Sequence, residues 1–523
     1  MSYTSIVFAL FTAITIIVYF GFPIKKYQWT VLLVAGAIFY LWFSIKYSIF
    51  ILLTIISIYL ASILMDNMEK STKKTVKENK EVWTKEEKSA FKKRAEGKRK
   101  CVLAIALFFN FGILALLKYF GEPLGSIAGF LGVTGEDGIT RVLMPLGISF
   151  YTFQSTGYLI DCYRGNVEPE KNIFKLSLFI SYFPQIVQGP IGQFEKLHHQ
   201  LIAEHRPEWM RFKLGGELIL WGLFKKLIIA DRAVIGLNHF YDDPSKFNGT
   251  GTLIIACLYA IQLYADFSGG IDISRGISQV LGIDLAQNFR RPYFATSIND
   301  YWRRWHITLG EWMRNYVFYS LAVSGPFLKL GRKVNKALPT AIASFIVFIL
   351  VGIWHGSNSK YIAFGVWNGA LVALSVMLAP VFSAITKKIK IKVESLGFRF
   401  YQMVRTFILV LIGYYFDIAQ NFRHAMEMLK ATIIDQQFSL FKEQLKLLEL
   451  SKMDYLTLFL ACLVLFYVSI RLEIRDKDAP GELLSEKSAL KQWIAILIGI
   501  ILILVFGWYG PGYNAADFVY MQF

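Results

Sequence analysis

The sequence predicts an all-α polytopic membrane protein with about eleven to thirteen transmembrane or re-entrant helices. Three observations predict it. The 523-residue chain is 55% hydrophobic and only 18% charged, below the quarter usual for soluble domains. Its apolar residues fall into separated runs of about 16–20, the length at which a helix crosses a bilayer. Its cations lie between those runs, as cytoplasmic membrane loops require. The net charge of +18 is thus a topology signal, and no nucleic-acid partner is expected.

The clearest runs cover 4–22, 29–45, 47–65, 102–117, 338–354, 361–380, 407–415 with its flanks, 455–470 and 493–508. The first is read as a retained span, because no small-residue cleavage site follows it. Weaker runs lie within 142–160, 173–193, 216–230 and 249–265. Pro145, Pro184, Pro190, Pro292 and many glycines break this middle region. Such backbone at membrane depth needs protein or a cavity around it. The whole chain, 1–523, reads as one membrane domain.

Charge sets the expected orientation. Segment 66–100 carries thirteen Lys or Arg and seven Asp or Glu and reads as a cytoplasmic basic loop. Counting back through three spans places the N-terminus outside, with Lys25 and Lys26 in the cytoplasm. Lys387, Lys388, Lys390 and Lys392 mark another cytoplasmic loop, and Arg471, Arg475, Lys477 and Lys487 a third. The tail 510–523 is then extracytoplasmic. Segment 421–452 alternates apolar and charged residues at helical spacing and reads as an amphipathic interfacial segment. Cys101, Cys162, Cys257 and Cys462 form no CxxC pair, so neither a disulfide framework nor a zinc site follows.

Two of the seven histidines stand apart. His306 lies in YWRRWHITLGEWMRNYVF, where helical spacing puts Trp302, His306, Leu309 and Met313 on one face, flanked by Trp305 and Trp312. Arg303, Arg304, Glu311 and Arg314 make the other side wet or phosphate-facing. An interfacial helix with a packed histidine fits the same pattern. His355 follows a long apolar run in VGIWHGSNSKYIAFGVWNG and has no charged neighbour before Lys360. An ionisable residue at a span is costly and points to function, and imidazole is matched to proton transfer near neutral pH. Catalysis, transport and structural packing remain open for it at this level. His198, His199, His205, His239 and His424 read as surface or interface histidines. No Walker loop, GxGxxG, HExxH or GxSxG is present, so neither nucleotide use nor a metal is expected.

The elements NDYWRRWHITLGEWMRNYVF and IWHGSNSKYIAFGVWNG resemble the two signature regions of the membrane-bound O-acyltransferase (MBOAT) family. LMPLGISFYTFQSTGYLIDCYRG, SYFPQIVQGPI and YADFSGGIDISRGISQVLGIDLAQNFRRPYF resemble its bacterial AlgI/PatA/DltB branch, the AlgI-like O-acetyltransferases most of all. The resemblance runs from about residue 5 to the end. It implies a ring of helices around a central tunnel. His355 matches the catalytic histidine, and His306 the second signature histidine. Trp302, Arg303, Arg304, Trp305, Trp354, Asp266 and Asn288 are the candidate donor-binding or tunnel residues. The ending FVYMQF resembles a C-terminal hexapeptide of AlgI-type proteins, in which Tyr520 corresponds to a proposed acyl relay. Where the family often writes WHG…WGxxHG, this chain has Phe364 and Asn368.

The implied function is transfer of an acyl group, most simply acetyl, from a cytoplasmic thioester across the membrane for O-acylation of an extracellular or cell-wall polysaccharide. The donor would be acetyl-CoA or an acyl carrier protein, used as substrate, with no bound cofactor. The implied partners are a membrane-anchored extracytoplasmic SGNH-type acyltransferase, an acyl carrier protein and membrane lipids. The implied location is the bacterial cell membrane. D-alanyl transfer to teichoic acid is the alternative within the family. A non-catalytic transporter or scaffold is the alternative outside it, although no repeat symmetry of the transporter kind is visible.

Overall fold

A computed structural model describes residues 2–119 and 145–509. Among them every regular element is helical, apart from one isolated bridge between Phe289 and Trp305. Eight helices are long and apolar enough to cross a membrane: Ser48–Glu78, Lys85–Tyr119, Gly249–Val280, Leu338–His355, Ser359–Lys388, Leu396–Ile418, Lys452–Arg475 and Ala489–Phe506. The protein is therefore an all-α, multi-pass membrane protein. The other expected segments are shorter or interrupted. Ile6–Gly21 has 16 residues and Trp29–Phe43 has 15. The 173–193 run is split into Ile173–Ser181 and Phe183–Ile186 by the extended Tyr182 two residues before Pro184. The 216–230 run is the helix Trp209–Leu223 continuing into a π-helical turn, Phe224–Ala230.

The chain forms two compact units. The first comprises residues 3–212 and 277–286. Its core holds Phe8 and Phe39 with ring centroids 5.8 Å apart, and Phe11 5.2 Å from Phe183. Helix Trp29–Phe43 approaches Ile173–Ser181 so closely that a Cβ at Gly36 would lie 2.6 Å from the Ser181 carbonyl oxygen. The segment 66–100, expected as a loop, is instead the extension of two long helices, Ser48–Glu78 and Lys85–Tyr119. Its charges explain why. Glu69 and Lys73, four apart, pair at 2.7 Å, and Asp66 pairs with Lys70 in the same way, as helix surfaces favour. Arg99 reaches across to Glu69 at 2.8 Å. The turn between the helices ends in a reciprocal cap, with Thr84 N–H donating to Glu87 at 2.7 Å and Glu87 N–H donating to Thr84 Oγ1 at 3.2 Å.

The second unit comprises residues 213–276 and 287 onward. At its centre Leu338–His355 and Ser359–Lys388 form a tight antiparallel hairpin. Small residues permit it: a Cβ at Gly352 would lie 2.3 Å from the Tyr361 carbonyl oxygen, and one at Gly365 would lie 2.5 Å from that of Phe348. Close backbone approach at glycine is how helices associate where no water drives them together. Asn358 caps the second helix by accepting from Lys360 N–H at 3.1 Å. Leu396–Ile418 packs alongside, and its Leu409 carbonyl accepts from the Trp367 indole at 3.0 Å. Segment 421–452 contains the helix Phe422–Ile434 and the short turn Phe441–Lys446.

Charge is buried in this unit, and it is paired. Lys226 lies between Asp266 at 2.6 Å and Asp231 at 2.9 Å, all three almost fully buried. Lys225 binds Asp272 and Ser268, each at 2.8 Å. Both lysines come from the π-helical turn, which presents successive residues to neighbouring elements. Lys226→Met would strand two carboxylates without their cation, at a cost of about 3–5 kcal/mol. The expected outcome is a sharply lower thermal midpoint for the purified protein in detergent, whereas Lys70→Met, on the exposed surface, leaves the midpoint within experimental scatter.

Candidate active site

The site is built in the second unit from a break in a helix. The spacing of YWRRWHITLGEWMRNYVF predicts one continuous helix. The structure instead has Ile298–Arg304, then Trp305 and His306, then Ile307–Trp312 and a π-helical turn, Met313–Phe318. His306 takes φ +46°, in the left-handed region that side chains seldom occupy. Neighbouring strand-like backbone holds it there. Arg290 N–H donates to the Arg304 carbonyl at 2.9 Å, and Ile307 N–H to the Asn288 carbonyl at 3.0 Å. Sequence periodicity could not reveal the break, because its cause is a segment some fifteen residues upstream.

Asn288 completes the arrangement. Its side-chain Oδ1 accepts from Thr308 N–H at 3.0 Å, from Thr308 Oγ1 at 3.0 Å, and from His306 Nδ1 at 3.3 Å. A backbone N–H can only donate, so the shared atom is the amide oxygen. His306 Nδ1 therefore carries the proton, and Nε2 presents its lone pair. Phe267 packs edge-on against the imidazole, with centroids 4.9 Å apart.

His355 is the last residue of Leu338–His355 and is 8% exposed. Its ring lies 5.0 Å from Trp354, 5.2 Å from Phe364 and 6.2 Å from Tyr361. The Trp354 ring is also 6.2 Å from His306, so the indole is shared by both imidazoles. Both histidines line one small cavity of about 30 Å³, together with Tyr301, Trp305, Asn368, Tyr414 and Asp417. That space suits one or two water-sized groups. A second cavity of about 410 Å³ lies on the other side of His306, Trp302, Leu309 and Val351. Arg303, Glu311 and Arg314 line it with Met313 and Phe348. This volume is in the range of ordinary ligand pockets. Trp302 and His306 front both spaces.

The polar lining is ordered. Tyr293 donates to the Ala260 carbonyl at 2.7 Å. Tyr414 hydroxyl then donates to Tyr293 at 3.1 Å, and Tyr301 to Tyr414 at 2.8 Å. Trp305 stacks on Tyr301 at 5.7 Å and packs edge-on to Phe289 at 5.0 Å. Lys360 Nζ donates to the carbonyls of Asp417 at 3.0 Å and Ala419 at 2.6 Å. The ammonium thereby caps the end of Leu396–Ile418 and leaves the Asp417 carboxylate to the cavity, where its Oδ1 has no hydrogen-bond partner among the described residues.

The expected site residues thus separate into groups. His306, His355, Trp302 and Trp305 line the small cavity, and Trp354 packs between the two imidazoles. Arg303 lines the larger cavity. Asn288 sits behind His306. Arg304 lines neither cavity; it is held by Asp300 at 3.0 Å and by Glu473 at 3.0 and 3.1 Å. Asp266 belongs to the Lys226 cluster. Tyr520 lies outside the described residues. Asp417 escaped the sequence reading, although a lone carboxylate at the end of an apolar run is the signal that singled out His355. Among the described residues no three His, Cys, Asp or Glu side chains converge as metal ligands.

Two imidazoles facing one small space, beside a larger cavity lined by two arginines, make a site suited to group transfer within a membrane protein. The chain belongs to the membrane-bound O-acyltransferase family, in the AlgI/DltB branch, and is an O-acyltransferase. The family's model matches residues 169–416, which include both histidines. A probable alginate O-acetylase, AlgI, of Pseudomonas syringae pv. tomato is 30% identical over 395 residues, covering 75% of this chain and 71% of that protein. A peptidoglycan O-acetyltransferase of Helicobacter pylori is 30% identical over 320 residues, 56% of this chain and 57% of that one. A teichoic acid D-alanyltransferase of Bacillus subtilis is 27% identical over 288 residues, 53% and 70% respectively.

Asn288→Leu removes the acceptor of two buried Thr308 donors and of His306. Each orphaned donor costs about 1–3 kcal/mol. The expected outcome is a lowered melting midpoint and loss of acyl transfer, while Asn288→Asp, which keeps the oxygen, retains more of both.

Proposed function

We propose that this enzyme takes an acyl group, acetyl, from a cytoplasmic thioester and passes it across the membrane for O-acylation of an extracellular or cell-wall polysaccharide. The observation that carries the reading is the sharing of one small cavity by His306 and His355, with the larger Arg303-lined slot immediately behind His306. The similarity to an alginate O-acetylase and a peptidoglycan O-acetyltransferase supports acetyl as the group and a polysaccharide as its destination. D-alanyl transfer is the second reading, favoured by the similarity to a teichoic acid D-alanyltransferase.

In this mechanism His355 is the general base. It takes the proton of an acceptor hydroxyl, whose oxygen forms a bond to the thioester carbonyl carbon. The tetrahedral adduct then expels the thiolate, which receives the proton from the imidazolium. The new ester and a free thiol are the products, and no nucleotide is consumed at this step. The Asp417 carboxylate offsets the positive charge that His355 gains. His306, with its proton held on Nδ1 by Asn288, offers Nε2 as an acceptor. That suits it to orienting a hydroxyl or an amide N–H, not to stabilising an oxyanion. Trp302, Trp305 and Trp354 exclude water and align the acyl chain.

The donor is acetyl-CoA or an acyl carrier protein. Arg303 is the cation suited to its phosphate, because Arg304 is committed to Asp300 and Glu473. In the same reading Tyr520 receives the acyl group and hands it to a membrane-anchored extracytoplasmic SGNH-type acyltransferase. The enzyme then sits in the bacterial cell membrane with both termini extracytoplasmic.

Base-labile esters of the cell envelope test the reaction. His355→Ala is expected to lower released acetate by about 10²–10⁴-fold, the range of a general base. Loss of alanine instead moves the protein to the teichoic acid reading, and persistence of both esters with a well-expressed variant defeats the catalytic assignment. For the purified enzyme, Arg303→Glu is expected to raise the KM for the thioester donor about tenfold or more, the effect of a lost charge-assisted bond, with kcat nearly unchanged. Arg304→Gln should instead lower stability.

A further inference from the structure

A further cavity of the second unit is away from the histidines. It is a groove of about 490 Å³ between Trp209–Leu223, the π-helical turn Phe224–Ala230, Lys452–Arg475, Pro480–Ser485 and Ala489–Phe506. One end is apolar, with Phe224, Val464, Val468, Ile498 and Leu502. The other end is charged, with Glu217, Arg471 and Lys487. From Ala489, two residues past Lys487, to Leu502 the helix rises about 20 Å, enough for one leaflet of a hydrocarbon core about 30 Å thick. The flanking faces carry the exposed side chains Leu463, Leu497, Ile501 and Leu504, which suit only a lipid surround.

The charged end has the features of a built site. Glu217 is 6% exposed. Both its carboxylate oxygens are buried with no hydrogen-bond partner among the described residues. The nearest cation, Lys213, is 4.0 Å away and gives its ammonium to Gln492. Gly481 makes room for the carboxylate, since a Cβ there would lie 2.5 Å from Glu217 Oε2. Arg471 and Lys487 have no carboxylate at ion-pair distance among the described residues. A buried carboxylate is retained only with a partner, and the two cations alongside, half-buried Arg471 and exposed Lys487, are placed to hold an anion.

We propose that this groove binds a membrane phospholipid with a primary-amine headgroup. The ammonium donates to Glu217, the phosphate is held by Arg471 and Lys487, and an acyl chain lies along Phe224, Val464 and Leu502. A purely anionic lipid such as phosphatidylglycerol would satisfy the two cations and could offer Glu217 a hydroxyl, but it brings no positive charge to the buried carboxylate. A choline headgroup carries positive charge but no N–H, so it cannot hydrogen-bond the carboxylate.

Native mass spectrometry of the full chain, exchanged into micelles containing equal phosphatidylethanolamine, phosphatidylcholine and phosphatidylglycerol, tests this. The wild type is expected to retain phosphatidylethanolamine at least tenfold over the other two. Glu217→Gln should bring the three within about threefold, and the double variant Arg471→Gln, Lys487→Gln should retain none of them. Gly499 lines the groove with no atom within 4 Å of a Cβ, so Gly499→Trp fills the space without a backbone clash and should expel the lipid from a monodisperse protein. Equal retention of all three lipids by the wild type overturns the headgroup assignment. Undiminished phosphatidylethanolamine on Gly499→Trp overturns the groove as its site.

Discussion

The active site depends on one amide oxygen. Asn288 Oδ1 accepts from Thr308 N–H, Thr308 Oγ1 and His306 Nδ1. It satisfies the Thr308 N–H, an orphan donor of the helix beginning at Ile307, while the Asn288 carbonyl takes the Ile307 N–H; a capping side chain usually performs this task from the same segment. Here the cap comes from a distant residue, which leaves His306 free to adopt φ +46°. Without that conformation the helix would run on, and the imidazole would face along the helix rather than between two cavities. The strain of a left-handed non-glycine residue, of order 1–3 kcal/mol, is offset by three hydrogen bonds and the Phe289–Trp305 bridge.

The second constraint is steric. Gly352, Gly365 and Gly369 let Leu338–His355 and Ser359–Lys388 approach at backbone distance. This close approach sets the height at which His355 ends its helix and turns Phe364 and Tyr361 toward its ring. A cavity of about 30 Å³ is the result of that packing. A space that small excludes bulk water.

Charge in the second unit is divided by role. The cluster of Lys226 with Asp231 and Asp266 and the clamp of Arg291 and Arg304 on Glu473 are internally matched. Arg303 and Asp417 have no such short ion pair among the described residues, Glu217 has only Lys213 at 4.0 Å, and each of the three borders a cavity. Adjacent residues fall on opposite sides of this division. Arg303 and Arg304 are neighbours in sequence, yet only one is available to a ligand.

The sequence by itself determined the helical membrane class, because runs of apolar residues and the placement of lysine between them are local properties that a bilayer selects directly. It also singled out His355, since a lone imidazole after an apolar run is conspicuous without any fold. The pattern Trp302, His306, Leu309, Met313 was legible as one face, and all four do line the larger cavity, although the continuous helix it implied is broken. The helical state of 66–100 was obscured by its polarity, which reads as a loop until the four-residue pairing of Glu69 with Lys73 is considered. What only the tertiary structure decided is which partner each polar side chain receives. Asn288 behind His306, Asp417 in the same cavity as His355, and the different fates of Arg303 and Arg304 are set by segments far apart in the chain. Periodicity reports the face a residue occupies, and the neighbouring helix decides what that face meets.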